Sequence, residues 1–305
     1  MTYAIFTNDV EDTSIWLNTF RDETAYKVYR EGMPILLDIY AELNIRCTFF
    51  FTGYIAKLIP DIVRMVLKYG HEVGSHGKSH LRENSFDIMP LEKQIKHLDE
   101  TKKLLEDISG QEVISFRAPA LRVNDDTPRA LIQTGYRIDS SIASQRFDFF
   151  LSFGGIKKLR WLIAPRKPYL TDPNSLFKKG KGPLIEVPLS ALFFPYVSTT
   201  MRIFPKLTKL QRKFIDFETR ITGKPVVFDI HPNEFIDESD ELRKIHKRTN
   251  NYFLFIIQDW LRAHLKTKNL GSRAISIYKD EIKYYLRKNY KFLTLKEYCK
   301  EINLL

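Results

Sequence analysis

Two histidines stand four residues apart in Ser75-His76-Gly77-Lys78-Ser79-His80, directly after a short apolar run. That spacing lets both rings converge on one metal ion. Asp9-Val10-Glu11-Asp12 follows the first expected strand, Tyr3 to Thr7, and offers one oxygen ligand together with one unligated carboxylate. Two imidazoles, a carboxylate and an open position suit zinc, or another divalent ion such as cobalt, manganese, iron or nickel. They are also the minimum set for metal-assisted hydrolysis. Alternation along an extended chain puts Asp9 and Glu11 on one side and Asp12 on the other. Glu11 is therefore the favoured ligand and Asp9 the favoured base, with Asp12 as the alternative ligand or else an N-cap beside Thr13 and Ser14.

Two further motifs complete a hydrolytic set. In Ser115-Phe116-Arg117-Ala118-Pro119 an arginine at a strand end, with Pro119 fixing the next turn, is placed to orient Asp9 and keep it ionised. In Phe228-Asp229-Ile230-His231-Pro232 a histidine closes a late apolar strand, across the barrel mouth from the first, where a leaving group needs its proton. Asp139, between Ile138 and Ser140-Ser141, is a candidate to hold that imidazole, or else a turn residue. His71 belongs to a strand that must pack, and His97, His246 and His264 fall in helical stretches without companions at ligand spacing. The sequence contains no GxGxxG, Walker loop or GxSxG elbow.

The elements that must position these residues alternate between strand and helix, the pattern of an α/β fold built on a mainly parallel sheet. Strands are expected at Tyr3 to Thr7, Cys47 to Phe51, Glu72 to Gly74 and Val113 to Phe116, with helices at Tyr26 to Leu43, Ile55 to Tyr69 and Leu91 to Ile108. A short helix, Asp126 to Thr134, leads to a strand at Tyr136 to Ile138. From about 145 to 183 the pattern breaks into an aromatic, basic stretch read as a long insertion over one end of the fold. Strands resume at Leu184 to Pro188 and Pro225 to Ile230, followed by helices Tyr252 to Leu265 and Leu295 to Ile302. The expectation is one domain, 1–305, with the insertion 145–183 and a helical C-terminal segment.

Composition fits a globular chain of 305 residues, with 44% hydrophobic and 28% charged residues. Two cysteines, Cys47 and Cys299, are too few for a disulfide framework. The N-terminus reads straight into a strand without an export segment, and no apolar run approaches the length of a membrane span, so a cytoplasmic protein is expected. The net charge of +11 favours anionic company, whether nucleotide diphosphates, lipid headgroups or nucleic acid. No nucleic-acid-binding module is recognisable. Peripheral contact with an anionic membrane stays open, as does the oligomeric state.

The order of these motifs resembles the polysaccharide deacetylase family, the NodB homology domain or carbohydrate esterase family 4. The likeness rests on Gly70-His71-Glu72-Val73-Gly74-Ser75-His76 with His80, then Phe116-Arg117-Ala118-Pro119, Asp139-Ser140-Ser141 and His231-Pro232. It implies an irregular (β/α) barrel of the NodB type, with about seven parallel strands, that removes acetyl from an N-acetylated sugar with a divalent metal. In that scheme Asp9 takes a proton from the attacking water, His231 protonates the departing amine and Arg117 positions Asp9. A backbone N–H near Leu121, in the turn after Pro119, helps hold the oxyanion. Val10 separates Asp9 from Glu11 where the family usually has adjacent aspartates, as in its Asp-Val-Glu-Asp subgroup. Leu121 replaces a common aromatic, and Asn8 a common phenylalanine.

The expected substrate is a phosphate-bearing acetylated sugar, an intermediate of O-antigen or capsule assembly, with Lys157, Lys158, Arg166 and Lys167 meeting its anionic part. The alternatives are hydrolysis of another C–N amide, such as a ureide, and an inactive sugar-binding barrel.

Overall fold

The first strand, Tyr3–Val10, is buried along all but its first residue, because it lies inside a sheet covered on both faces. On one side it pairs in parallel with Val226–Ile230, and on the other with Thr48–Phe51 and, at its start, with Lys291–Phe292. The computed structural model describes residues 1–144, 160–243, 245, 251–252 and 255–305. Lys157, Lys158, His246 and the first part of the expected insertion lie outside them.

From Val226–Ile230 the parallel order runs through Tyr3–Val10, Thr48–Phe51, Glu72–Ser75, Ser115–Phe116 and Ile138–Asp139 to Ile185–Glu186. That path is the expected seven-stranded parallel sheet, curled into an irregular half-barrel with helices around it. Among the described residues its two ends are joined without a regular strand pair. Ser190 N–H donates to the Val227 carbonyl at 3.1 Å, and Val197 bridges Asp229.

The second half of the expected insertion is more ordered than a loop. Tyr169–Asp172 and Ser175–Lys179 form a hairpin that extends the sheet antiparallel from Ile185–Glu186. Alternation is visible there only as buried Tyr169 and Thr171, too short a signal to stand out among the lysines.

Helix positions follow expectation in the first half, with local departures at prolines. The expected helix over 26–43 begins earlier, at Asp22, and carries a wide π turn at Val28–Gly32 just before Pro34, whose missing N–H shifts the hydrogen-bond ladder. The expected Ile55–Tyr69 helix is two, Gly53–Leu58 and Asp61–Leu67, broken at Pro60. Leu91–Ser109 ends at Gly110 with φ 66°, a left-handed cap. Over 252–265 the described residues form a π turn, Phe255–Leu261, leading into Arg262–Lys266. Among the described residues four helices were not expected: the short Arg160–Ile163 within the insertion, Ser198–Ile203, Pro205–Thr222 and Ser272–Leu286.

The core on the outer side of the first strand is aromatic. Phe6 stacks on Phe228 with ring centres 5.2 Å apart, and Tyr278 and Tyr285 close around Phe6. Burying each such ring contributes about 1.5–3 kcal/mol. Asn8 is accommodated by polar partners: its amide donates to the Thr48 carbonyl, and its oxygen accepts from Tyr40, which also meets Tyr278. Cys47 and Cys299 are buried free thiols.

Candidate metal centre

Parallel strands all point their carboxyl ends one way, so the loops that follow them share one rim. Asp9 lies near the end of Tyr3–Val10, with Glu11 just beyond it. His76 follows Glu72–Ser75, Arg117 follows Ser115–Phe116, and His231 follows Val226–Ile230. The first and the late strand are immediate neighbours, with Asn8 opposite Ile230, so His231 stands beside Asp9 and not across the mouth from it.

Glu11, His76 and His80 converge, their donor atoms within 4.8 Å of one another. His76 Nε2 and His80 Nε2 are 2.9 Å apart, and Glu11 Oε2 is 2.5 Å from His80 Nε2. The turn that returns His80 to His76 needs Gly77, whose φ is 66° and where a Cβ would meet Phe86 at 2.9 Å.

The donor chemistry fits a divalent cation. His76 Nδ1 lies 2.9 Å from the Arg117 carbonyl, which fixes its proton on that side and turns the Nε2 lone pair inward. Burial, with His80 beside it, pushes His76 down to about 3, so the ring is neutral as a ligand must be. Glu11 Oε2 is buried and has no hydrogen bond directed at it, although it crowds His80. Burial alone would raise the Glu11 carboxyl, but His80, His231 and His76 reverse that and hold it well below the usual carboxylate range. Glu11, His76 and His80 would hold a divalent ion through one carboxylate oxygen and two ring nitrogens.

Asp12 does not join this group. It lines an adjoining cleft of about 450 Å³ with Phe20, Arg21, Tyr54, Ser79 and Leu81. Glu11 and Asp12, adjacent in the chain, thus face different spaces. Asp12 does not cap a helix either, since Arg21 holds that position for Asp22–Lys27.

Asp9 faces the centre from the other side, with Oδ2 3.5 Å from His76 Nε2 and Oδ1 3.1 Å from Arg117 Nη1. Arg117 is fully buried. Its Nη1 also donates to Asp229 Oδ1 at 2.5 Å and Thr7 Oγ1 at 2.6 Å, and Nε and Nη2 donate to the Ser140 carbonyl and hydroxyl. Donor atoms of Asp9, Asp229 and His231 also lie within 4.8 Å of one another, but the guanidinium already supplies the positive charge there.

His231 has a partner that the sequence motifs did not identify. Its Nδ1 is 3.6 Å from Glu234 Oε1, and Glu234 is anchored by Arg202 Nε at 2.8 Å and by Ser198 Oγ. Burial works against the charge on His231, but Glu234, Asp229, Glu11 and Asp9 outweigh it and lift the ring to about 10. Glu234 lies three residues beyond the histidine on a 3-10 turn, a spacing visible in the sequence; Arg202 comes from a helix that was not anticipated.

Three expected roles need correction. Asp139 does not hold His231: it accepts from Ser141 Oγ and pairs with Glu186 on the next strand, while Glu234 takes the orienting position. The Leu121 N–H is already donated to the Ala118 carbonyl at 2.9 Å, so it is not poised for an oxyanion. Pro119 is buried against the Gly77 turn, and Ala120 and Leu121 both carry positive φ, a strained path of the kind found beside functional sites. Arg166 is clamped on Glu218 by Nε and Nη2, both at 2.6 Å, and Lys224 shares that carboxylate, so its charge is already answered. Lys167 is exposed. Of the histidines set aside, His71 accepts from the Cys47 N–H in the core, while His97 is buried and His264 exposed, both in helices.

The chain is similar to known proteins in sequence and in fold. A family model described as polysaccharide deacetylase matches residues 8–138. A peptidoglycan deacetylase of Helicobacter pylori is 25% identical over 146 residues, 46% of this chain and 49% of that protein. The match thus spans about half the length of that relative. Among solved structures, a probable polysaccharide deacetylase from Pseudomonas aeruginosa superposes with a TM-score of 0.61 at 16% identity, covering 97% of this chain and 88% of that one. An allantoinase superposes with a TM-score of 0.59 at 15% identity over the same shares. Both likenesses are of fold.

Proposed function

The chain is a member of the polysaccharide deacetylase family through residues 8–138, and from that premise we propose that it is a metal-dependent N-deacetylase of an acetylated sugar. The observation that carries the reading is the convergence of Glu11, His76 and His80 beside a carboxylate held by a buried arginine and a proton-bearing imidazole. A divalent ion held by these three residues supplies Lewis acidity and lowers the pKa of water.

The chain's own groups do the rest. Asp9, aimed by Arg117 Nη1, takes a proton on Oδ2, the oxygen turned toward the histidines, from the water whose oxygen bonds to the acetyl carbon. His231, charged at neutral pH and held by Glu234, gives its proton to the departing amine nitrogen as the C–N bond breaks. Acetate and the free amino sugar are the products. The side of the rim carrying Phe20, Tyr54, Leu81 and Asp12 forms the sugar subsite, with rings for the sugar face and a carboxyl for its hydroxyls. The substrate we infer carries phosphate, as a nucleotide- or lipid-linked intermediate of O-antigen or capsule assembly does, in keeping with the net charge of +11.

The test is acetate release from UDP-linked N-acetylated and diacetamido sugars by metal-loaded protein, with Asp9→Asn as control. The variant is expected to lose about 10²–10⁴-fold in turnover while retaining its metal. Turnover of a cyclic ureide without acetate release would move the assignment to another amidohydrolase. Sugar binding without any turnover would make the chain a binding protein.

A further inference from the structure

The helix Pro205–Thr222 is apolar on the wrong side. Its core-facing residues are Thr208, Gln211, Arg212, Asp216 and Thr219, relieved only by Ile215. Toward solvent it presents Leu207, Leu210, Phe214, Phe217 and Ile221, spaced three and four apart along roughly 21 Å of helix, with exposures of 39, 52, 54, 65 and 68%. Gln211 pins a neighbouring hairpin by donating to the Leu192 and Phe194 carbonyls. Scattered apolar residues on a surface need no explanation, whereas a continuous stripe of Leu, Phe and Ile does.

The charges beside the stripe identify its occupant. Lys206 and Lys213 stand exposed seven residues apart along one flank, and Arg220 follows after seven more with its Nε donating to Asp216 Oδ1 at 2.9 Å. A second copy packed antiparallel would bring these basic rows face to face. A parallel copy would need acids on the other flank, where Gln211 is used by the hairpin and Glu218 is already shared by Arg166 and Lys224. A stripe of Leu and Phe bordered by lysines is instead the chemistry of a helix lying in the headgroup layer of an anionic bilayer, apolar face down and ammonium groups reaching to phosphates. Among the described residues no helix is long and apolar enough to cross a membrane, so the contact is peripheral.

We propose that the outer face of Pro205–Thr222 docks this protein on an anionic lipid surface. The helix runs antiparallel to Val226–Ile230, which follows it, so its N-terminal end lies at the rim that carries His231. Arg202, just before the helix, holds Glu234 there. Docking therefore brings the catalytic rim toward the layer where lipid-linked headgroups reside.

The experiment is flotation of the full chain with vesicles of phosphatidylethanolamine and phosphatidylglycerol, compared with phosphatidylcholine alone. Wild type is expected to float with the anionic vesicles and to be released by salt. Phe214→Asp with Phe217→Asp is expected to cut the bound fraction at least tenfold at an unchanged melting temperature, and Lys206→Glu with Lys213→Glu to weaken binding to the anionic vesicles alone. Wild type that stays unbound with both vesicles overturns the proposal. So does equal flotation of the Phe variant, or a wild-type dimer in light scattering that Phe217→Asp converts to monomer.

Discussion

At the scale of single residues the site depends on Arg117. It is buried without exposure and divides its charge between Asp9 and Asp229, so removing it leaves two carboxylates sharing a pocket without a cation, a loss of about 3–5 kcal/mol. Burial and Asp9 already lift the Asp229 carboxyl against the pull of Arg117. Glu234 plays the matching part for His231 and allows a cleaner test, because Glu234→Gln keeps its shape. The histidine is protonated below its raised value of about 10 and loses its proton as pH rises through it. Glu234→Gln removes an influence that raises the ring, so the alkaline limb of kcat/KM is expected to move to lower pH while the acid limb stays. An unmoved alkaline limb would assign proton delivery to another group. Arg117 was legible as a strand-end arginine followed by Pro119. Asp229 was not singled out, because one carboxylate in an apolar strand reads as an isolated exception until the neighbouring strand brings Asp9 to it.

At the scale of elements, strand pairing explains what periodicity could not. Ile138–Asp139 and Ile185–Glu186 lie side by side in parallel with Asp139 opposite Glu186, two acids facing each other inside the sheet. Burial first, and each other's proximity next, raise Glu186 well above its ordinary range, and burial raises Asp139. A carboxyl raised on folding stabilises the fold at low pH, and that contribution is lost as pH climbs from the ordinary carboxyl range through the raised value. Glu186→Gln is expected to flatten the fall of melting temperature over that range; a variant with the wild-type slope would show that the pair does not titrate this way. Neither residue announced its partner in the sequence, since they are 47 positions apart. The early helices were legible because their apolar residues face the core at helical spacing. Pro205–Thr222 was missed for the opposite reason, since its polar residues face inward and its apolar stripe faces out.

At the scale of the whole molecule, the parallel sheet does the assembling. It carries residues from the first tenth of the chain, the middle and the last quarter to one rim, and all five motifs read from the sequence arrive at the ends of strands of this one sheet. That much was legible, because motif order together with alternating strands and helices specifies a rim. Closure was not: the ends of the sheet meet through Ser190 and Val197, single contacts without a sequence pattern. The claim on which the rest depends is that distant residues gather around one cation, and metal content measured by mass spectrometry after equilibrium dialysis tests it most directly. The account predicts close to a single divalent ion per chain in the wild type, Asp9→Asn and Asp12→Asn, and its loss in Glu11→Ala and His80→Ala. A wild type that retains no ion, or a Glu11→Ala variant that binds it as well as the wild type, would contradict the account.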